Sequence, residues 1–200
     1  MILVSPSNGR NARDRLLTVA RRRFAADGTI APTLDELRRE AGVSVGSLYH
    51  HFPDKPALAA AVYAQVMAEY QAGFVAMLRA QDSAEAGIRG GVRHHLNWVA
   101  EHRGEAALLL GDRLDSAALR AANRDFFAAI GDWWRPHHTY GVLVSIQPAV
   151  TAALWFGAAQ EYARHWLAGN ADEMDRTVIE TFADAAWNAL RDNQIEETSR

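Results

Sequence analysis

The 200-residue chain has no cysteine and a single lysine, Lys55. Without thiols it can form neither disulfides nor thiolate metal sites. No apolar run approaches ~18 residues, so a membrane-spanning helix is not expected. The opening "MILVSPS" is too short for a secretory signal and lacks its basic start, so a cytoplasmic protein is expected. Missing too are the catalytic signatures HExxH and GxSxG, the phosphate-binding loop and GxGxxG. Glu161 and His165 stand four apart, and His137-His138 follows Pro136 in an expected loop. Neither pair amounts to a metal site. The expectation is therefore a protein that is not an enzyme and has no cofactor.

What the chain does have is apolar content and uneven charge. Hydrophobic residues make up 49% of it, enough for one large domain or two small ones. Residues 1–56 hold nine Lys/Arg against six Asp/Glu, a net +3, which leaves −6 of the overall −3 to the remainder. A basic head on an acidic body suits contact with a polyanion, although a solvated surface gives the same balance.

No segment alternates with period two for long, and alanine is abundant, so the chain is expected to be all-α. Residues 1–9 read as a disordered tail and 192–200 as another. A first helix is expected over 10–26, with Leu16, Ala20 and Phe24 on one face and Asp27-Gly28 as its stop. Thr33 followed by Glu36 makes a capping box for a second helix over 34–41, with Leu34, Leu37 and Ala41 inward. Gly42 fits a left-handed helix-ending position. Ser44 then caps a third helix over 45–51, with Val43, Leu48 and Phe52 inward.

Two short helices joined by a glycine-containing turn, behind a longer one, make a helix-turn-helix. A helix entering the major groove needs little bulk at its start, so that its backbone can approach base edges. Gly46 and Ser47 supply that, and Tyr49, His50 and His51 supply flanking donors for phosphates. A small buried helical hairpin with surface histidines would share this pattern.

These residues resemble the DNA-binding domain of the TetR/AcrR family of bacterial repressors. The resemblance runs over residues 13–66, through "RDRLLTVARRRFAADG", "TLDELRREAGVSVGSLYHHF" and "PDKPAL". Tyr49, Phe52 and Lys55 fall where that family has its tyrosine, its phenylalanine and a phosphate-binding lysine. The recognition helix departs from a basic pattern: Val45 and Ser47 would read bases by apolar contact and by hydroxyl. The DNA-contacting candidates are Thr33, Ser44, Val45, Gly46, Ser47, Tyr49, His50, His51 and Lys55.

The resemblance implies a three-helix DNA-binding domain over 10–55, joined to a larger helical ligand-binding and dimerisation domain over 56–191. A long fourth helix should begin after "PDKP", capped by Asp54, with Leu58, Val62, Val66 and Tyr70 as its inward stripe. In the family this helix links the two domains. Further helices are expected over 83–102, 104–113, 116–135, 148–168 and 172–191, with breaks at Gly104, near Asp115-Ser116 and over 136–141, and with Asp172 as the last cap. All six tryptophans fall in this second part. They suit either plain core or a pocket for a mainly apolar effector, whose candidate wall residues are Trp98, His102, Phe127 and Trp134. His95, Trp98 and His102 share a helix face that either lines a cavity or is solvated. In the family the last two helices pair with their copies. The candidate interface is Leu154, Ala158, Tyr162, Val178, Phe182 and Ala185. The expected partners are double-stranded DNA, a small-molecule effector and a second copy of the chain, with no membrane. A helical interaction protein that keeps the fold without binding DNA, or an enzyme using the body cavity, would be the other readings.

Overall fold

The computed structural model describes residues 6–111 and 117–192. Among them run nine α-helices: α1 (Pro6–Asp27), α2 (Leu34–Glu40), α3 (Val45–His51), α4 (Lys55–Arg79), α5 (Ala84–Glu101), α6 (Arg103–Leu110), α7 (Ala117–Thr139), α8 (Pro148–Leu167) and α9 (Arg176–Leu190). Their only extended pairing is an isolated antiparallel bridge between Leu143 and Arg191. The helices gather into two compact units. The head comprises residues up to 68 together with 103–119, and the body comprises 69–102 and the residues from 120 onward. The chain therefore passes from one unit to the other within α4, between α5 and α6, and early in α7.

In the head, Leu16, Ala20 and Phe24 of α1 are fully buried, as are Leu37, Leu58 and Val62 or nearly so. The short helices are fixed by caps rather than by length, since seven residues are too few to be stable alone. The Thr33 hydroxyl accepts from the Glu36 N–H at 3.3 Å, and the Thr33 N–H donates to the Glu36 carboxylate at 2.7 Å. Gly42 turns the chain with φ +61°, a conformation costly for a residue with a Cβ. The Ser44 hydroxyl accepts from the Ser47 N–H at 3.2 Å, and the Asp54 carboxylate accepts from the Ala57 N–H at 2.7 Å. Helix α6 packs on α1. Gly104 lies so close to the Ala25 carbonyl that no side chain fits there, and Arg21 pairs with Glu105 at 2.5 Å.

The body is built around α5, which packs on both α8 and α9. Ile88, Val92, Leu96 and Val99 form its fully buried stripe. Two of its glycines are seats for tryptophans. A Cβ on Gly87 would collide with the Trp133 indole, and one on Gly91 would lie 2.9 Å from the Trp155 indole. Trp155 also donates its Nε1–H to the Ile88 carbonyl at 2.9 Å. On the outer side Arg93 holds Glu180 through two bonds, at 2.8 and 2.6 Å, and Arg89 pairs with Glu85 and Asp184.

Several sequence boundaries are corrected. Helix α1 already includes residues 6–9, which were expected to be disordered. Leu34 is half-exposed rather than inward, whereas Tyr70, half-buried, faces α5, where its hydroxyl meets the His95 Nδ1. Gly104 lies inside α6, and the break before it falls at His102. Helix α7 runs through Pro136 to Thr139, so His137 and His138 are helical. Pro136 is exposed, and the donor it lacks is missing only on the solvent side. The chain turns out of the helix at Gly141, two residues past Thr139, where the Val142 N–H reaches back to the His137 carbonyl at 2.9 Å. Asp175, not Asp172, caps α9, by accepting from the Val178 N–H at 2.8 Å. Asp192 is held by Val142 at 2.9 Å rather than forming part of a tail. Residues 1–5, Asp115-Ser116 and 193–200 lie outside the described residues.

Candidate nucleic-acid interface

Helix α3 has two unlike faces. Val43, Leu48 and Phe52 are buried at or beside it. On the other side Val45 is 54% exposed and Tyr49 55%, with Gly46 and His50 exposed beside them. The place where a Gly46 side chain would begin has no atom within 4 Å, so the helix backbone is open to an approaching surface. Ser47 is half-exposed. Thr33 and Ser44 are exposed, but their hydroxyls are engaged at the helix starts, Thr33 also donating to Glu36 at 2.7 Å. His50 and His51 meet edge to face, 5.0 Å apart. The His51 Nε2 is buried and has no hydrogen-bond partner.

The basic charge of the head is largely internal. Arg22 and Arg23 share Glu40, and Arg38 and Arg39 share Asp35. The Arg38 guanidinium bonds the Asp35 carboxyl and holds it below its ordinary pKa. Bonds from Thr33, backbone first, lower that of Glu36. Arg13, Arg15 and Lys55 have no carboxylate ion pair among the described residues. Arg13 lies over the Phe52 ring, 5.6 Å from its centre, and Arg15 reaches the turn at Gly42. The Lys55 ammonium donates to the Ala31 carbonyl at 3.0 Å, which uses one of its three hydrogens. An open cavity of about 660 Å³ runs between α1 and the start of α4, lined by Arg13, Asp14, Leu17 and the alanines of α4.

In the body, Trp98 stacks on His102 with ring centres 4.9 Å apart. Trp134 lies 6.0 Å from Trp155. Phe127 is 59% exposed and touches Phe126. Of these four sequence candidates only Trp98 and His102 touch directly; the others lie against rings that sequence reasoning did not assign to the site. Tyr70 lies 5.0 Å from Trp98, and Phe74 lies 5.5 Å from Phe126 and 5.9 Å from Trp155. The spacing of Tyr70 and Phe74, one turn apart on α4, was the available signal. On α8 and α9, Leu154 is 43% exposed, Ala158 and Ala185 are exposed, and Tyr162, Val178 and Phe182 are half-exposed. Tyr162 and Phe182 meet across the two helices at 5.2 Å. No group of three or more potential metal ligands comes together among the described residues. No helix among them is long and apolar enough to cross a membrane.

Residues 16–62 match the family model for bacterial regulatory proteins of the tetR family. A stretch of 51 residues is 43% identical to the HTH-type transcriptional repressor KstR2 of Mycolicibacterium smegmatis. It spans 26% of this chain and about a quarter, 25%, of that protein. The fold of the whole chain resembles a TetR family transcription regulator from Marinobacter aquaeolei VT8, with TM-score 0.75 at 17% identity, over 94% of this chain and 100% of that one. It also resembles a TetR-family transcriptional regulator from Pectobacterium atrosepticum, with TM-score 0.65 at 25% identity, over 92% and 93% of the two chains.

Proposed function

We propose that the chain, whose residues 16–62 match the family model for bacterial regulatory proteins of the tetR family, is a TetR-family regulator and a cytoplasmic transcriptional repressor. It binds a palindromic operator as a homodimer and leaves it when a small, mainly apolar effector occupies the body. The observation that carries this reading is the outer face of α3: a glycine with open space around it, flanked by exposed Val45 and Tyr49, within the family-matched segment. Such a face suits the major groove. Arg13, Arg15 and Lys55 are the cations left for phosphates, with Thr33, Ser44, Ser47, His50 and His51 at the flanks of the contact.

The exposed apolar face of α8 and α9 suits a second copy, through Leu154, Ala158, Tyr162, Val178, Phe182 and Ala185. A two-fold dimer sets two α3 helices about 34–36 Å apart, as successive major grooves require. The effector must bind the non-DNA state better, since equal affinity for both states shifts nothing. A coupling of about 3 kcal/mol would change operator affinity about 150-fold.

The test is salt-dependent binding of duplex DNA from the promoter of the chain's own gene, followed by anisotropy and footprinting. Lys55→Ala should weaken binding to all sequences and lower the salt slope by about 1. Leu154→Arg places a charge in the apolar face and should give monomers in sedimentation together with lost operator binding. Binding that ignores salt would defeat the repressor reading. A Leu154→Arg protein still dimeric at micromolar concentration would move the interface elsewhere.

A further inference from the structure

The body holds polar groups that its packing does not use. Gln71 of α4 and His95 of α5 are 7% and 8% exposed, in the midst of aromatic rings. Gln71 donates to the Asn123 side-chain oxygen of α7 at 2.7 Å. The Tyr70 hydroxyl lies 3.0 Å from the His95 Nδ1. Phe156 packs 6.0 Å from the His95 ring, and His94 lies 5.7 Å from both Tyr70 and Phe74. Glycine at position 73 lets the His94 ring lie against α4, since a Cβ there would come within 3.1 Å of its Cε1.

Two atoms of this cluster, the Nε2 of His94 and the Nε2 of His95, are buried and have no hydrogen-bond partner. Buried polar atoms are nearly always satisfied, because an orphan forfeits its bond to water and gains nothing in return. Two such orphans are a cost that packing by itself does not require. Burial holds the His95 ring neutral, its pKa lowered to about 4, with His94 and Arg164 adding to the effect. A neutral imidazole has one donor and one acceptor nitrogen. In the tautomer whose Nδ1 accepts from the Tyr70 hydroxyl, the Nε2 carries the hydrogen and lacks an acceptor.

We infer that this cluster is the polar anchor of the effector site, and that the effector is an uncharged, flat, largely apolar molecule with an oxygen acceptor for the His95 Nε2–H. The inference rests on the repressor reading and gives it a ligand class. The rings favour a flat apolar body, and no charged side chain among the described residues is bonded to His94 or His95, Arg164 acting on His95 only from a distance. Tyr70, Trp98, Phe126 and Phe156 are only half-buried, so rotation of these outer rings opens the way to His95.

Equilibrium dialysis of the full chain tests this with two probes of matched shape, 2-acetylnaphthalene and 2-ethylnaphthalene. The wild type should bind the ketone about tenfold more tightly than the hydrocarbon, the value of one good buried hydrogen bond. His95→Leu should lose that preference. In the wild type, with ¹⁵N-labelled histidine, the ketone should shift the His95 Nε2 resonance and the hydrocarbon should not, a reading that needs no variant. Equal binding of the two probes by the wild type, a preference that survives His95→Leu, or an unmoved resonance would each overturn the assignment. Duplex binding is measured in parallel. Intact salt-dependent DNA binding without a ketone preference sinks the anchor alone, whereas a ketone preference without DNA binding sinks the repressor reading alone.

Discussion

Head and body place their polar groups differently. In the head, Arg22, Arg23, Arg38 and Arg39 are matched by Glu40 and Asp35 at the surface, and hydroxyls sit at helix starts where N–H groups need them. In the body, two imidazole nitrogens are sealed among rings without a partner. A region whose cations are largely paired at its surface, with His51 Nε2 and Glu105 Oε2 its only buried orphans among the described residues, is suited to meet a fixed surface through its open face. A region that keeps buried hydrogen-bonding capacity in reserve is suited to take up a molecule that brings the missing partner.

The contrast is broken most completely at Gly46. Gly46→Leu should reduce specific operator affinity by roughly 10³-fold or more, toward the non-specific level. The helical circular dichroism and the body's tryptophan fluorescence should be unchanged, because nothing crowds that position. Operator binding as tight as wild type would mean that α3 is not the reading element.

Acid should sharpen the comparison. The folded pKa of His95 lies below its ordinary value of 6.5, so the unfolded chain binds the extra proton first. Its contribution to stability is complete above about pH 6.5 and is lost as the pH falls toward about 4, on the order of 3 kcal/mol in all. His94 is shifted in the same direction, mainly by desolvation. The lowered carboxyls of the head, Asp35 and Glu36, lose their contribution only below their ordinary range. Urea unfolding followed by tryptophan emission, which reports on the body alone, should show destabilisation between pH 6.5 and 4.5. His95→Leu should flatten most of it. An equally steep slope in that variant would assign the acid response to other groups.

A smaller effect separates helix propensity from packing. By propensity alone, a glycine-to-alanine change inside a helix stabilises by about 1 kcal/mol. Gly131→Ala on α7, with open space around it, should follow that rule. Gly87→Ala should do the opposite and cost about 1–3 kcal/mol, because the Trp133 indole occupies the space. Opposite signs in chemical denaturation would establish the seat. A stabilised Gly87→Ala would show that Trp133 moves aside freely.

Much of the head was legible because its signals act over three or four residues. Thr33 with Glu36, Ser44 with Ser47, and Gly42 between them set two short helices and their turn. The spacing of Leu16, Ala20 and Phe24 sets the buried face of α1. Val45 and Tyr49 could be placed on the outer side of α3 for the same reason. Binding of Lys55 to the Ala31 carbonyl could not be read, since it depends on how the turn before α2 folds back on α4. In the body, local reading located the helices but misjudged their ends. Pro136 stops a helix only where its missing donor matters, and of two acidic residues only Asp175 had the geometry to cap α9.

By itself the sequence determined an all-helical chain, a capped helix-turn-helix with a smooth outward face, and a body that holds every tryptophan. Caps, turns and amphipathic spacing are properties of neighbours along the chain, and they survive without knowledge of the rest. Tertiary structure decided why α5 carries glycines at 87 and 91, that α6 belongs with the head, and that the Nε2 atoms of His94 and His95 are left without partners. Each of these depends on side chains brought together from distant positions, as when Trp155 bonds Ile88 across 67 residues, and no local pattern encodes which indole will fill which notch.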